Sequence, residues 1–384
     1  MTPTGQTGRG AALLVFAASL TSVEIGVSVA LIEITLGVVA GNFLGLSSPA
    51  WMDFLASFGS IVLTFLAGAE VDPAVMREKL KESVLIGGVS FVAPFLGAWA
   101  FAAWVLGWSG PAAQIAGVAL STTSLAVVYA VLVETGLTLR PIGKLIMAST
   151  FVTDFGTALA LAVLFIRPTW WLLPFLGVSA VVIWLMIALQ PWFFARYGER
   201  VIEPEIKGAF AALLVLMFLA DKAQSHAVLP AFVLGLALAR IFHENPLLQR
   251  RFRIVAFSLL TPFFFLKGGM NVSLVLVWTN LGLLLSLLGV KLVTKFFGVY
   301  PLAKRYVPRD AMFTTLLMST GLTFGTISSL YGLGAGIIDR AQFSVLVTAV
   351  VASAVVPTVI AQRWFAPRAE AASGSDARPG TVGV

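Results

Sequence analysis

Residues 117–131, GVALSTTSLAVVYAV, and residues 316–332, LLMSTGLTFGTISSLYG, are apolar runs broken in the same manner. The first carries Ser121, Thr122, Thr123 and Ser124 at its middle; the second carries Ser319, Thr320, Gly321, Thr323, Gly325 and Thr326. In lipid every backbone polar group needs an internal partner, and hydroxyls and small residues help to supply one where a helix unwinds. Both runs therefore read as membrane helices that are discontinuous at mid-membrane, where half-helix ends can face an ion. Ser, Thr and Gly also mark plain close packing of helices. The charges found at the same depth favour the discontinuous reading.

The surrounding chain has the composition of a lipid-embedded protein. Of 384 residues, 59% are hydrophobic and only 11% are charged, and the mean hydropathy is +0.96, far above what a water-facing surface tolerates. About thirteen apolar stretches approach the ~20 residues of a spanning helix: 10–23, 26–46, 51–70, 83–107, 111–133, 142–165, 169–192, 207–221, 227–242, 253–270, 275–301, 310–333 and 341–363. The expected fold is an all-α polytopic membrane protein in the lipid bilayer. The first stretch lacks the charged lead and cleavage site of a signal peptide and reads as a retained helix. Cysteine is absent, which leaves no disulfide, thiolate metal site or thiol redox chemistry. The pI near 9.9 reflects basic residues kept on one side of a membrane, not nucleic-acid binding.

Those residues assign the orientation. With the N-terminus outside, Arg77, Lys79, Lys81, Arg140, Lys144, Arg196, Arg200, Lys207, Arg240, Arg250, Arg251, Arg253, Lys304, Arg305, Arg309, Arg363, Arg368 and Arg378 fall inside. Only Arg9, Arg167, Lys222 and Arg340 fall outside, the asymmetry of a protein with a cytoplasmic C-terminus in the cell's inner (plasma) membrane. The two interrupted stretches lie an odd number of spans apart, so they cross the membrane in opposite senses, as in the inverted repeats of secondary transporters. The chain then divides into a first repeat (1–165, spans one to six), a linking span (166–206) and a second repeat (207–365, spans eight to thirteen). Residues 366–384, small, polar and rich in Gly and Pro, read as a disordered cytoplasmic tail with no soluble ligand-binding domain.

A few charges lie inside the spans. Asp154 is about ten residues beyond Lys144, hence roughly 15 Å deep at ~1.5 Å per residue. An isolated carboxylate there is unfavourable by about 2.5–3.5 kcal/mol, so such a group is normally functional and paired. Lys291, near the middle of the eleventh span, is the natural countercharge. Lys295, one turn further, reads as a structural residue that snorkels to the interface. Glu33 reads equally as a pathway residue or as a hydrogen-bonding residue in helix packing. Lys267 follows three Phe and sits either deep or at the outer surface, and Glu70 and Asp221 read as solvated charges at span ends. His226 and His243 have no companions at metal-ligand spacing. No nucleophile and base pair, Walker motif or phosphate loop is present. The expectation is transport driven by an ion gradient, without enzymatic activity or a resident cofactor.

FVTDFG around Asp154, EITLGVVAG from Glu33, FLAGAEVD at 65–72, PFFFLKGGMNVSL at 262–274 and STGLTFGTI at 319–327 together resemble the cation:proton antiporter-2 family, which includes NapA-type sodium/proton antiporters and Kef-type relatives. The resemblance runs over nearly the whole chain. It implies a homodimer in which a core domain, holding two crossed discontinuous helices, moves against a dimerisation domain to give alternating access. It further implies that Asp154 binds cation and proton competitively and that Lys291 occupies the place of the family's embedded lysine. The chain departs from electrogenic members, which carry two adjacent acids: here Thr153 precedes Asp154. One carboxylate favours one-for-one electroneutral exchange. Lys267 is a second departure, at a position usually small or apolar.

The expected activity is therefore cation/proton antiport, sodium favoured. Sodium would bind at Asp154, with neutral oxygens from Thr153, Ser124, Thr123 and Thr323, because a hard cation requires several oxygen ligands. Potassium/proton exchange is the close alternative. Less favoured are a sodium-coupled organic-anion symporter, which can share the crossed-helix architecture, and an ion channel, against which the paired intramembrane charges argue.

Overall fold

The computed structural model describes residues 3–25, 28–138, 140–165, 169–197, 203–223 and 225–367. The expected tail beyond residue 367, together with Arg167, Arg200, Arg368 and Arg378, lies outside the described residues. All regular structure described is helical. In chain order the helices are α1 (Pro3–Ile25), α2 (Val29–Asn42), α3 (Ala50–Ala69), α4 (Pro73–Glu78), α5 (Leu80–Ala100), α6 (Gly110–Ser121), α7 (Leu125–Glu134), α8 (Pro141–Leu164) and α9 (Leu172–Tyr197). They continue as α10 (Pro204–Lys222), α11 (Val228–Glu244), α12 (Pro246–Val255), α13 (Thr261–Met270), α14 (Leu274–Thr279), α15 (Leu281–Tyr306), α16 (Ala311–Met318), α17 (Thr323–Gly334) and α18 (Arg340–Ile360). Each expected apolar stretch contains helix among the described residues, and among them eight segments are each long and apolar enough to cross a membrane.

Boundaries follow local chemistry. Asp72 caps α4, its Oδ1 accepting from Ala74 N at 2.8 Å and Val75 N at 3.2 Å ahead of Pro73. At α18 a capping box forms: Asp339 accepts from Gln342 N at 2.8 Å, and the Gln342 side chain accepts from Asp339 N at 3.0 Å. Both arrangements satisfy amide donors that a helix start leaves free. Three π-helical turns were not expected from sequence. They cover Phe101–Val105 after α5, Ala256–Leu260 joining α12 to α13, and Ala361–Phe365 after α18. The eleventh stretch also differs, since a single short helix, α14, precedes the long α15, and α15 runs on to Tyr306 instead of ending near 301.

Glycines bring one group of helices into backbone contact. A Cβ on Gly235 of α11 would fall on the Phe65 carbonyl of α3, and one on Gly68 of α3 would fall on the Phe232 carbonyl of α11. Gly37 of α2 and Gly269 of α13 repeat this relation, each against a carbonyl of the other helix. Without a hydrophobic drive between helices in lipid, such close approach is what holds them. A second group surrounds α5, which packs on α6, α8 and α15. By contrast α9 leaves Leu173, Trp184 and Trp192 largely exposed, as a lipid-facing helix does.

Candidate functional site

The two interrupted stretches do unwind, and they cross. α6 stops at Ser121, Thr122 and Ser124 take extended backbone angles (φ/ψ −66°/152° and −102°/108°), and α7 starts at Leu125. On the other side α16 stops at Met318 and α17 starts at Thr323. Thr123 Oγ1 donates to Met318 O at 2.9 Å, Ser124 N donates to Thr320 Oγ1 at 3.4 Å, and a Cβ on Gly321 would lie 2.9 Å from Thr122 Oγ1. The remaining hydroxyls bond back onto freed carbonyls: Ser121 to Val118 O at 2.9 Å, Thr122 to Ala119 O at 3.1 Å, Ser319 to Thr315 O at 2.7 Å and Thr320 to Leu317 O at 2.8 Å. These bonds are the reason for a polar cluster at the break, because an unbonded buried carbonyl is costly.

Asp154 stands beside this crossing on α8. One turn earlier on the same face, Thr150 Oγ1 lies 3.7 Å from Met318 Sδ, at the end of α16. The Asp154 side chain is 2% exposed, and its Oδ1 has no hydrogen-bond partner among the described residues. Thr153 is buried with its hydroxyl turned away, donating to Ser149 O at 3.1 Å and Gly87 O at 3.2 Å. It locks α8 to α5, and its oxygen keeps acceptor capacity.

The two lysines depart from expectation. Among the described residues no ion pair within 4 Å joins Lys291 to Asp154; the Lys291 ammonium is fully buried, lacks a hydrogen-bond partner and lies over Gly321 at the crossing. Lys295 does not snorkel. Its Nζ donates to Ser90 Oγ at 2.7 Å and Thr123 Oγ1 at 3.0 Å, and the residue is 0% exposed. The reason is length: α15 extends to Tyr306, so eleven residues at ~1.5 Å each place Lys295 roughly 16 Å from that helix end, beyond the reach of its side chain.

The other expected residues scatter. Ser124 Oγ caps α7, accepting from Val127 N at 3.5 Å. Thr323 is half-buried at the start of α17 and its hydroxyl makes no hydrogen bond among the described residues; the hydroxyl reaching across on that side is Thr320. Glu33 is 2% exposed on α2, in the glycine-packed group. Lys267 is at the surface of that group, paired with Asp53 of α3 at 2.7 Å. Glu70 is no free solvated charge, since it lies 3.6 Å from Arg253. Ser90 escaped sequence reading, because a Ser among the apolar residues of the fourth stretch carries no periodic signal; Thr320 was singled out within the polar cluster but not as an expected ligand.

A buried carboxylate and buried ammonium groups beside crossed, broken helices, in a chain of many apolar helices, define a membrane antiporter. The family model described as "Sodium/hydrogen exchanger, transmembrane" matches residues 11–366, and the chain belongs to this family of cation/proton antiporters. Among relatives, Probable Na(+)/H(+) antiporter 3 of Methanocaldococcus jannaschii is 24% identical over 361 residues, covering 86% of this chain and 90% of that one. Na(+)/H(+) antiporter NhaS4 of Synechocystis is 26% identical over 375 residues, covering 87% and 90%. The solved structure of the sodium proton antiporter MjNhaP1 from Methanocaldococcus jannaschii at pH 8 shares the fold, with TM-score 0.70 at 14% identity over 94% of this chain and 97% of that one.

Proposed function

We propose that the protein exchanges sodium for protons at Asp154, one for one. The observation that carries this reading is the Asp154 carboxylate itself: buried among hydroxyl-bearing helices, with Oδ1 lacking any hydrogen-bond partner among the described residues. Such an oxygen takes either a proton or a cation, and one carboxylate holds one charge of cargo at a time. Thr123, Ser124 and the freed carbonyls at the crossing are the neutral oxygens within the same polar cluster, with Thr153 and Thr323 at its margins. The names of the two similar proteins support sodium as the cation.

Alternating access then comes from movement of the group around α5, with the crossing and Asp154, against the glycine-packed group of α2, α3, α11 and α13. In this reading the latter forms the homodimer contact, and Glu33 and the Lys267–Asp53 pair belong to the static side. The recurrence of one glycine contact as α2 with α13 and as α3 with α11 supports the division into repeats at 1–165 and 207–365, because inverted repeats exchange those pairs. The N-terminus lies outside and the C-terminus in the cytoplasm, in the plasma membrane, on the distribution of basic residues.

The test is reconstitution into vesicles with a pH-reporting dye. Asp154→Asn retains the fold and loses sodium-driven proton movement, whereas proton flux at the wild-type rate in a folded mutant would exclude Asp154. Potassium replacing sodium with equal effect would reassign the cargo to potassium, and net current during exchange would exclude one-for-one stoichiometry.

A further inference from the structure

The approach to Asp154 from the Pro141 end of α8 runs along one stripe of that helix. Met147, Phe151 and Asp154 fall within about 60° of arc, with Phe151 about 4.5 Å and Met147 about 10 Å short of Asp154 along the axis. Phe151 is 3% exposed and packs with Val71 and Ala239, both buried; half-buried Met76, Leu125 and Met147 complete this small cluster. Every one of these six side chains is apolar. Arg77 in α4, and Arg140 and Lys144 at the start of α8, mark this end as the basic side, cytoplasmic in the orientation proposed above.

The cluster is shared between the two groups of helices. Phe151 and Met147 belong to α8, and Leu125 is the first residue of α7, directly after the unwound segment 122–124. Ala239 belongs to α11, Val71 follows the end of α3, and Met76 lies in α4. That second half is pinned from the solvent side. Asp72, next to Val71, caps α4 through Oδ1, while its Oδ2 lies 3.4 Å from Nε2 of His243. His243 stands one turn beyond Ala239 on the same face of α11. Asp72 and His243 thus hold together the two segments against which the Phe151 ring is seated. A cation that gives up its water among apolar side chains meets a large desolvation cost, and apolar constrictions stop ions by excluding water.

We propose that Phe151 is the cytoplasmic seal of the exchange site: a ring carried by the moving helix α8 and seated in a static rim of Val71 and Ala239, closing the basic side while it is packed and opening it when α8 shifts against α11. Leu125 links the seal to the crossing, because any displacement of the unwound segment moves the first residue of α7 within the same cluster. The inference rests on Asp154 being the exchange site. Its test reads access to position 154 and not exchange, so the two readings fail separately.

The chain contains no cysteine, so Asp154→Cys provides a single thiol at the exchange position. The rate at which a membrane-impermeant, cationic methanethiosulfonate modifies that thiol is measured in vesicles with the reagent on one face or the other, and melting temperature is recorded for each variant. In this background Phe151→Ala is expected to raise the rate several-fold from the face bearing Arg140 and Lys144, and to leave the rate from the opposite face unchanged. Phe151→Leu, which keeps most of the apolar bulk, should raise it least. If Phe151→Ala does not fold, Val71→Ala empties the same contact from the rim and supplies the measurement. A folded variant with an unchanged rate from the basic face overturns the proposal, as does an equal rise from both faces, which is the result of general loosening. Exchange by Asp154→Asn would instead overturn the site behind the seal while leaving the measured access as it is.

Discussion

Replacing Gly235 by Ala places a methyl group into the α3–α11 contact. The new Cβ would fall on the Phe65 carbonyl oxygen, 2.8 Å from Ala69 N and 3.0 Å from the Phe65 carbonyl carbon. All three obstructing atoms are backbone, so no side-chain rotation relieves the overlap and the helices must separate by a sizeable fraction of the ~3.5 Å of an ordinary contact. Forcing a methyl into a packed interior destabilises by about 1–3 kcal/mol, against which the removal of a helix-interior glycine returns about 1 kcal/mol. The expected net is a loss of up to ~2 kcal/mol. Gly289 of α15 provides the matched control, because a Cβ there meets no atom within 4 Å. Gly289→Ala keeps only the helix-propensity gain and should melt at or above wild type. Tryptophan fluorescence reports unfolding in detergent, the chain having 10 Trp. If Gly235→Ala melted as high as wild type, glycine contact would not be what holds this pair of helices together.

Two further substitutions probe charge. Gly321→Ala puts a Cβ against the Lys291 ammonium and 3.2 Å from Thr122 O; displacement of a buried ammonium is expected to slow exchange by about tenfold, equivalent to ~1.4 kcal/mol, measured as initial rate in proteoliposomes, with Gly334→Ala, which meets nothing within 4 Å, as reference. Lys267→Met removes the ion pair to Asp53, whose side chains are 22% and 44% exposed, so the loss should stay below about 1 kcal/mol. Its melting difference from wild type should vanish in 1 M salt, and exchange should persist; a difference unaffected by salt would indicate packing instead of charge.

The helices were legible because hydropathy is a coarse signal summed over many residues, and the two breaks were legible because hydroxyls at mid-span have few other uses. That both lysines reach the crossing was not legible. Lys291 and Lys295 share a face of one helix, so periodicity treats them alike, and whether Lys295 could reach the interface turned on where α15 ends, five residues beyond the expected boundary at 301. Thr153 shows a different limit: its place beside Asp154 suggested a ligand, but adjacent residues on a helix point about 100° apart, and its hydroxyl faces Gly87 on α5. Lys267 was ambiguous because its partner, Asp53, is more than two hundred residues earlier in the chain.

The π-helical turn between α12 and α13 bears on how such a chain can change length. A turn of this kind is an α-helix carrying one surplus residue, here closed by Thr261 N donating to Ala256 O. Deleting one residue within 256–260 turns that stretch into plain α-helix while the flanking faces keep their phase, so Gly269 still meets Gly37. The same deletion inside α3 rotates everything beyond it by about 100° and swings Gly68 out of its seat on α11. Insertions and deletions of single residues among related chains are thus expected to collect at 101–105, 256–260 and 361–365 and to avoid the glycine-packed helices. The surplus residues are slack, placed where register can be spent without unseating a neighbour.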